Sequence, residues 1–234
     1  MESFYLLGAR IDPFSRLEII SAVQTRLNQK LFTHLITVNS LWLVELDRDP
    51  SLKKLVTENT LCVAESIGVV WLSRLKKCRN VERVPGIDLM QELCHQAAAR
   101  GQSVYLLGAK KGVAELAAKK LQQQFPSLLV AGTAHGYFSL QEEFDVLQDI
   151  RDSGATFVFV ARSMPEQEQW IHRHAQHFSG KCVMGVGGSF DVFSGQLTRA
   201  PHWMQKTGLE WFYRLIQEPR RIKRILKILP IFLK

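Results

Sequence analysis

From Ser103 to Gly132 the chain spells a strand, a turn, a helix and a second strand: Ser103-Val104-Tyr105-Leu106-Leu107, then Gly108-Ala109-Lys110-Lys111-Gly112, a helical stretch from Val113 to Gln124, and Leu128-Leu129-Val130-Ala131-Gly132. Two strands joined through a helix of that length cannot pair as a hairpin. They lie parallel, with a right-handed crossover, and parallel strands need helices on both faces. The same alternation runs along most of the chain. Strand patterns fall at 4–11, 35–39, 61–64, 156–160 and at the apolar run Cys182-Val183-Met184, with helical patterns at 13–27, 41–47, 67–75, 87–100, 142–152 and 166–178. The expected fold is α/β, a Rossmann-like, mostly parallel sheet flanked by helices. It spans residues 1–197, and a basic amphipathic helical C-terminal appendage follows over 198–234.

In a doubly wound sheet, ligands sit beyond the carboxyl ends of the strands. Polar residues at those ends are Thr37, Asn39 and Glu65, with Arg83 and Gln167 in the loops that follow; any one alone is more often a cap or a turn residue than a catalyst. Gly185-Val186-Gly187-Gly188 follows an apolar strand and precedes Phe190-Asp191, so its backbone can approach a ligand closely. Gly108–Gly112 resembles a phosphate-holding turn, but it is neither GxGxxG nor a Walker loop, and an empty strand-to-helix turn is the commoner reading. Without GxGxxG, a nicotinamide oxidoreductase is a poor second choice.

The charge is lopsided. The chain carries a formal net +8, and from Arg199 onward nine Lys/Arg stand against only Glu210 and Glu218. Ile222, Ile225, Leu226 and Leu229 fall on one helical stripe among Arg220, Arg221, Lys223, Arg224 and Lys227, the pattern of a helix lying on an anionic bilayer. A terminal helix packed on its own core fits the pattern equally well; Trp203, Trp211, Phe212 and Tyr213 favour the membrane boundary. No apolar run approaches the roughly 20 residues of a membrane span, and the N-terminus lacks the basic start of a signal peptide, so peripheral contact from the cytoplasmic side is expected. The cations crowd one end without a nucleic-acid motif, so nucleic acid is not expected as a partner.

Three other patterns are set aside. Asp47-Arg48-Asp49 spells a metal-binding DxD, but it closes a polar helix before Pro50 and reads as a solvated face. His172 and His174 are two apart and face different sides of a helix, and with His177 they read as solvent-exposed. Cys62, Cys78, Cys94 and Cys182 show neither CxxC nor zinc spacing, so no disulfide, metal or cofactor is expected and a reducing compartment is the default.

Eight ordered motifs carry a resemblance: Thr37-Val38-Asn39, Ile67-Gly68-Val69-Val70-Trp71, Glu82 to Leu89 (ERVPGIDL), His135-Gly136-Tyr137-Phe138, Pro165 to Trp170 (PEQEQW), Gly185 to Asp191 (GVGGSFD), Arg199-Ala200-Pro201 and Gly208-Leu209-Glu210-Trp211. Together they resemble the WecG/TagA/CpsF glycosyltransferases over nearly the whole chain. The resemblance implies inverting transfer of an N-acetylmannosamine-type sugar from a UDP-sugar donor to a polyprenyl-diphosphate-linked sugar acceptor at the cytoplasmic membrane surface, without an obligatory metal. A homo-oligomer is compatible with it. Glu65 matches the family's general-base aspartate, one methylene longer and followed by Ser66 instead of glycine. Ala161-Arg162-Ser163-Met164 replaces a glycine-containing turn.

Within that resemblance Arg214, Arg221 and Arg224 would meet the diphosphate. Thr37, Asn39 and Gln167 would position sugar hydroxyls, Arg83 an anionic part of a substrate, and Tyr137 with Asp191 the uridine. Gly187 and Gly188 would line the donor turn. The rival is a non-catalytic membrane-surface or partner-binding protein that keeps the fold.

Overall fold

A computed structural model describes residues 2–78 and 81–233, the side chains of Arg224 and Leu233 excepted. The chain opens on a hairpin, β1 (Phe4–Leu6) and β2 (Ala9–Ile11), paired antiparallel. The expected single strand over 4–11 is thus two. Leu7 and Gly8 take positive φ (50° and 84°) and reverse the chain, which an alternating pattern cannot reveal. Asp12, buried just beyond β2, accepts from Arg10 Nε (2.9 Å) and from the Cys62 amide (2.8 Å), fastening the hairpin to the main sheet.

The βα units then follow in order. α1 (Arg16–Asn28) starts on a capping box between Ser15 and Glu18, and α2 (Ser40–Arg48) follows β3 (Thr33–Val38). Next come β4 (Thr60–Ala64), α3 (Ile67–Leu75), α4 (Gly86–Arg100), β5 (Ser103–Gly108), α5 (Val113–Gln124), β6 (Leu129–Ala134), α6 (Leu140–Asp152), β7 (Phe157–Ala161), α7 (Glu166–Arg173) and β8 (Cys182–Gly185). The expected helix over 166–178 stops at Arg173 and continues as a 3-10 turn over Ala175–Phe178.

The six strands of the main sheet run parallel in the order β4-β3-β8-β7-β5-β6. Side chains alternate between its faces. Leu35, Phe157, Phe159 and Met184 pack with α1, α4 and α5, whereas Ile36 and Val38 face α2 and α3, and Val158 and Val160 face α6 and α7. The chain moves outward from β3 to β4, crosses to β5 and β6, and returns inward through β7 to β8, beside β3. Connections therefore leave β3 and reach β8 from opposite directions, opening a crevice at their carboxyl ends.

Gly108 (φ 131°) brings β5 against β7 so closely that a Cβ there would overlap the Ala161 backbone. All four cysteines are unpaired, and burial pushes the Cys94 and Cys182 thiols up to about 12. His174 departs from the exposed expectation: it is only 14% exposed, its ring lies 5.1 Å from Trp170, and Nε2 is 3.4 Å from Glu143. Asp47 and Asp49 are exposed, and Asp49 accepts from the Ser51 amide at 3.0 Å, an ordinary cap.

Beyond the sheet come α8 (Ser189–Phe193), α9 (His202–Thr207), α10 (Glu210–Gln217) and α11 (Ile222–Ile228), which ends in a 3-10 turn over Leu229–Leu233. The last helix returns to the core. Ile231 is 3% exposed among residues of α2 and α3, with Ile228 packed beside it, and a Cβ on Gly68 would meet the Phe232 ring at 2.9 Å. The expected apolar stripe nevertheless stays largely outside: Ile222, Leu226 and Leu229 are exposed. Among the described residues no helix is long and apolar enough to cross a membrane.

Ile231 anchors a short segment with little other burial, so Ile231→Ala, a change that costs about 2–5 kcal/mol in a core, is expected to undock the tail locally. Faster tryptic cleavage after Lys223 and Lys227, with unchanged protection of β5 and β7 amides in hydrogen exchange, is the expected result; a matching loss of protection in β5 and β7 would mean the tail is part of the global unit.

Candidate active site

β4 ends in a residue held by both neighbours. The Glu65 amide donates to Val38 O at 2.8 Å, extending the ladder with β3, and Ser66 then caps α3 by accepting from the Val69 amide. Across the crevice Asn39 caps α2: its Oδ1 accepts from the Trp42 amide at 3.1 Å, which leaves Nδ2 to donate to Glu65 Oε2 at 2.9 Å. Glu65 Oε1 accepts from the Gly86 amide at 3.3 Å. A Cβ on Gly86 would lie 2.9 Å from that oxygen and 3.3 Å from Thr37 Oγ1, so only glycine lets the backbone come this near.

Burial pushes the Glu65 carboxyl above its ordinary range. The Asn39 amide, the Gly86 N–H, the charge of Arg214 and the Thr37 hydroxyl pull it back, in that order. The result is a carboxylate with hydrogen-bond donors on both oxygens in a half-buried place.

Arg83 joins this strand end to the tail. Its Nε donates to Glu65 O (3.2 Å), Nη1 to Gln205 O (2.7 Å) and Nη2 to Glu210 Oε2 (3.3 Å). The other oxygen of Glu210 lies 3.5 Å from Arg199 Nε, and Arg199 Nη1 reaches Asp88 Oδ1 at 2.6 Å. A guanidinium can serve three directions at once because its donors form a fixed fork. All three of its nitrogens are engaged by protein.

Glu210 opens α10, and Arg214 stands one turn further along the same face. Arg214 enters the crevice. A Cβ on Gly188 would find Asp191 Oδ2 at 3.4 Å, Arg214 Nη1 at 3.6 Å and Arg221 Nη2 at 3.8 Å, so a carboxylate and two tail arginines converge on the space beside this glycine. Burial raises the Asp191 carboxyl, with Glu218 adding to the rise and Arg214, Arg221 and Lys110 opposing it. Burial and the neighbouring Arg221 lower the Arg214 pKa, the mark of a cation held partly out of water. Arg221 is itself paired with Glu218 at 2.6 Å.

These groups line one cavity of about 580 Å³, the size of a small-ligand site. It gathers Thr37, Asn39, Glu65, Arg83, Gln167, Gly187, Gly188, Asp191, Arg214 and Arg221. Tyr137 is 74% exposed at the rim, and the Arg224 side chain lies outside the described residues. The turn after β5 adds Ala109 and Lys110 to the wall. Sequence reasoning missed Gly86, Arg199, Glu210 and Glu168. All four lie inside the ordered motifs ERVPGIDL, PEQEQW, Arg199-Ala200-Pro201 and Gly208-Leu209-Glu210-Trp211, which were the available signal.

A parallel sheet with its crevice at the switch point, lined by a half-buried carboxylate and convergent arginines and without a glycine-rich dinucleotide loop, defines an α/β protein with a site suited to an anionic ligand. The comparisons give the family. The profile of the Glycosyl transferase WecG/TagA/CpsF family matches residues 4–234, and the chain belongs to that family. An N-acetylglucosaminyldiphosphoundecaprenol N-acetyl-beta-D-mannosaminyltransferase of Bacillus subtilis (strain 168) is 37% identical over 202 residues, 86% of this chain and 78% of the relative. One of the same name from Staphylococcus aureus (strain MRSA252) is 35% identical over 230 residues, covering 97% and 89%.

The Arg83 bridge yields a test. Arg83→Lys keeps the charge but cannot reach three acceptors, so amides of α9 and α10 are expected to exchange about tenfold faster while those of β3 and β4 hold. Unchanged exchange in α9 and α10 would show that apolar contacts alone hold the joint.

Proposed function

We propose that this chain transfers an N-acetylmannosamine-type sugar from a UDP-sugar to a polyprenyl-diphosphate-linked N-acetylglucosamine, with inversion at the anomeric carbon. The observation that carries the reading is the placement of one raised carboxylate, Glu65, in the same cavity as two arginines delivered by a separate segment. The names of the relatives supply the transferred sugar and the lipid-linked acceptor, and the UDP donor is part of the proposal.

The chemistry needs these two poles. An acceptor hydroxyl is a weak nucleophile until a base takes its proton, and a raised carboxyl is nearer the working pH than an ordinary one. In a single displacement the hydroxyl oxygen bonds to the anomeric carbon as the proton passes to Glu65. The bond from that carbon to the diphosphate oxygen breaks on the opposite face, and its electron pair leaves with UDP. Arg214 and Arg221 stabilise the charge gathered on the departing diphosphate, more strongly here than in water because the site is partly desolvated. Thr37 and Asn39 hold the base, and Gln167 and the glycines shape the donor turn. Asp191, with Tyr137 at the rim, takes the nucleoside, and Arg83 positions the tail.

We place the molecule on the cytoplasmic face of the membrane, with residues 1–197 as the core and 198–234 as the membrane-associating appendage. Trp203, Trp211, Phe212 and Ile216, and further along the tail Ile222, Leu226 and Leu229, are exposed apolar residues of a segment that also exposes Arg220, Lys223 and Lys227, and Trp211 lines the cavity. A lipid-linked acceptor arrives from that side. Ile222→Glu with Leu226→Glu is expected to reduce flotation of the full chain with anionic vesicles by at least about tenfold, and high salt to weaken wild-type binding. Undiminished flotation would remove this tract from the membrane face.

A UDP-release assay with a short-chain polyprenyl-diphosphate sugar tests the reaction. Glu65→Gln is expected to keep the fold and lower turnover by about 10²-fold or more. Glu65→Asp draws the carboxylate back from Asn39 and Gly86 and is expected to lose rate as well, the base being displaced by about 1 Å. The base must be ionised, so the raised pKa moves the acid limb of kcat/KM above the ordinary carboxylate value of about 4.3, with activity lost as pH falls through it. Turnover should persist with a chelator. Unaltered turnover in Glu65→Gln would remove the base assignment, and no turnover with any UDP-sugar would favour a non-catalytic role.

A further inference from the structure

Two buried ionisable groups lie outside the chemistry just described. Glu168, at 0% exposure, and His34, at 2%, meet behind the cavity, His34 Nε2 standing 2.6 Å from Glu168 Oε2. His34 projects from β3 on the α7 face of the sheet, and Glu168 lies in the first turn of α7. Neither lines the cavity. A carboxylate without water is tolerated where partners fix it, and the second partner here is a residue of the site: Gln167 Nε2 donates to Glu168 Oε1 at 2.8 Å.

Gln167 is 3% exposed, and its Oε1 accepts from the Gly187 amide at 3.1 Å. The amide has one admissible orientation. A carboxylate only accepts and an N–H only donates, so turning the Gln167 amide over would set oxygen against oxygen and nitrogen against nitrogen. Gly185 closes the cage: a Cβ there would lie 2.7 Å from Glu168 Oε1 and run into the Gln167 amide. Gly187 itself sits at φ 49°, a shape glycine reaches freely among many others, so the contact to Gln167 selects one conformation of a permissive residue.

We propose that Glu168 and His34 are positioning residues for the donor turn, acting through Gln167 to hold the Gly187 amide and the 185–188 backbone in their place at the cavity wall. The link to the donor rests on the glycosyltransferase reading above; the relay itself does not. His34 orients the carboxylate, Glu168 fixes which end of the Gln167 amide faces forward, and Gln167 holds the turn.

The test uses the full chain and two readouts, hydrogen exchange at the Gly187 amide without ligand and the KM for the UDP-sugar. Glu168→Leu is expected to speed exchange and raise KM, each by about tenfold, the weight of one or two hydrogen bonds. Gln167→Ala should do the same, and the Gln167→Ala/Glu168→Leu double variant should do no more than Gln167→Ala alone, because Glu168 acts only through Gln167. Glu168→Gln, which retains an oxygen for Gln167 Nε2, should recover part of the loss. Since Glu168→Leu strands the buried His34, His34→Leu/Glu168→Leu serves as a companion: it should regain melting temperature while keeping fast exchange and raised KM. Additive losses in the double variant, or unaltered Gly187 exchange in Glu168→Leu, would overturn the relay. So would failure of both apolar variants to fold, which would assign the pair to stability alone. Faster exchange with unaltered KM would overturn the tie to the donor. A wild type that shows the relay in exchange but turns over no UDP-sugar would count against the functional reading instead.

Discussion

The Glu210 carboxylate, shared between Arg83 and Arg199, is the interaction on which the site depends. Remove it in thought and two cations at the core–tail joint lose their common counter-charge, while Arg83 keeps only carbonyl acceptors. The consequence is geometric as much as energetic. Arg83 holds the carbonyl of Glu65 and the start of α10 with one rigid group, so the end that carries the carboxylate and the helix that carries Arg214 are set relative to each other. An exposed ion pair would do this poorly, being weak and screened. This one is part-buried and multiply hydrogen-bonded, and it fixes register more than it adds stability.

Around that joint, glycines decide how near the parts can come. Gly86 lets a backbone amide reach the Glu65 carboxylate, Gly188 borders the space between Asp191 and two arginines, and Gly185 admits the Gln167–Glu168 pair behind the wall. At Gly86 and Gly185 a methyl group would displace a polar atom; at Gly188 it would come to van der Waals contact with three. The raised Glu65 carboxyl is a product of the same closeness: the site withdraws it from water and returns only part of what water supplied, through Asn39, Gly86 and Thr37.

Much of this was legible because it rests on local periodicity. The parallel sheet follows from strand–helix–strand units such as 103–132, and the strand-end rule alone brought Thr37, Asn39, Glu65, Arg83 and Gln167 into one candidate set, which shares one cavity with Gly185, Gly187 and Gly188. What the sequence hid was non-local or conformational. The reversal at Leu7–Gly8 keeps the alternation of a single strand. His174 looks exposed on a helical wheel until Trp170 and Glu143 meet it. The partners of Arg83 lie 122 and 127 residues away, beyond any pattern with a period of two or 3.6. The tail's stripe was read correctly as apolar, but its neighbours Ile228 and Ile231 do the docking.

The distribution of charge explains why such a tail can close at all. Nine cations in one segment repel each other, and Arg214 and Arg221 are drawn to the same small space, where burial and the charge of Arg221 make Arg214 harder to keep charged. The closed arrangement is held by the few acids present: Glu210 at the joint, Glu218 on Arg221, Asp191 on the far wall. Of these, Asp191 is raised by burial first and then by the charge of Glu218. The crevice thus holds converging arginines with imperfect anionic compensation. On the proposed reading, a diphosphate would add negative charge between the arginines, and any ligand that binds the closed tail better than the open one stabilises closure by its difference in affinity. The same field that assembles the site would then weaken once the charged product leaves, so tail closure and occupancy of the donor site are linked through the arginines themselves.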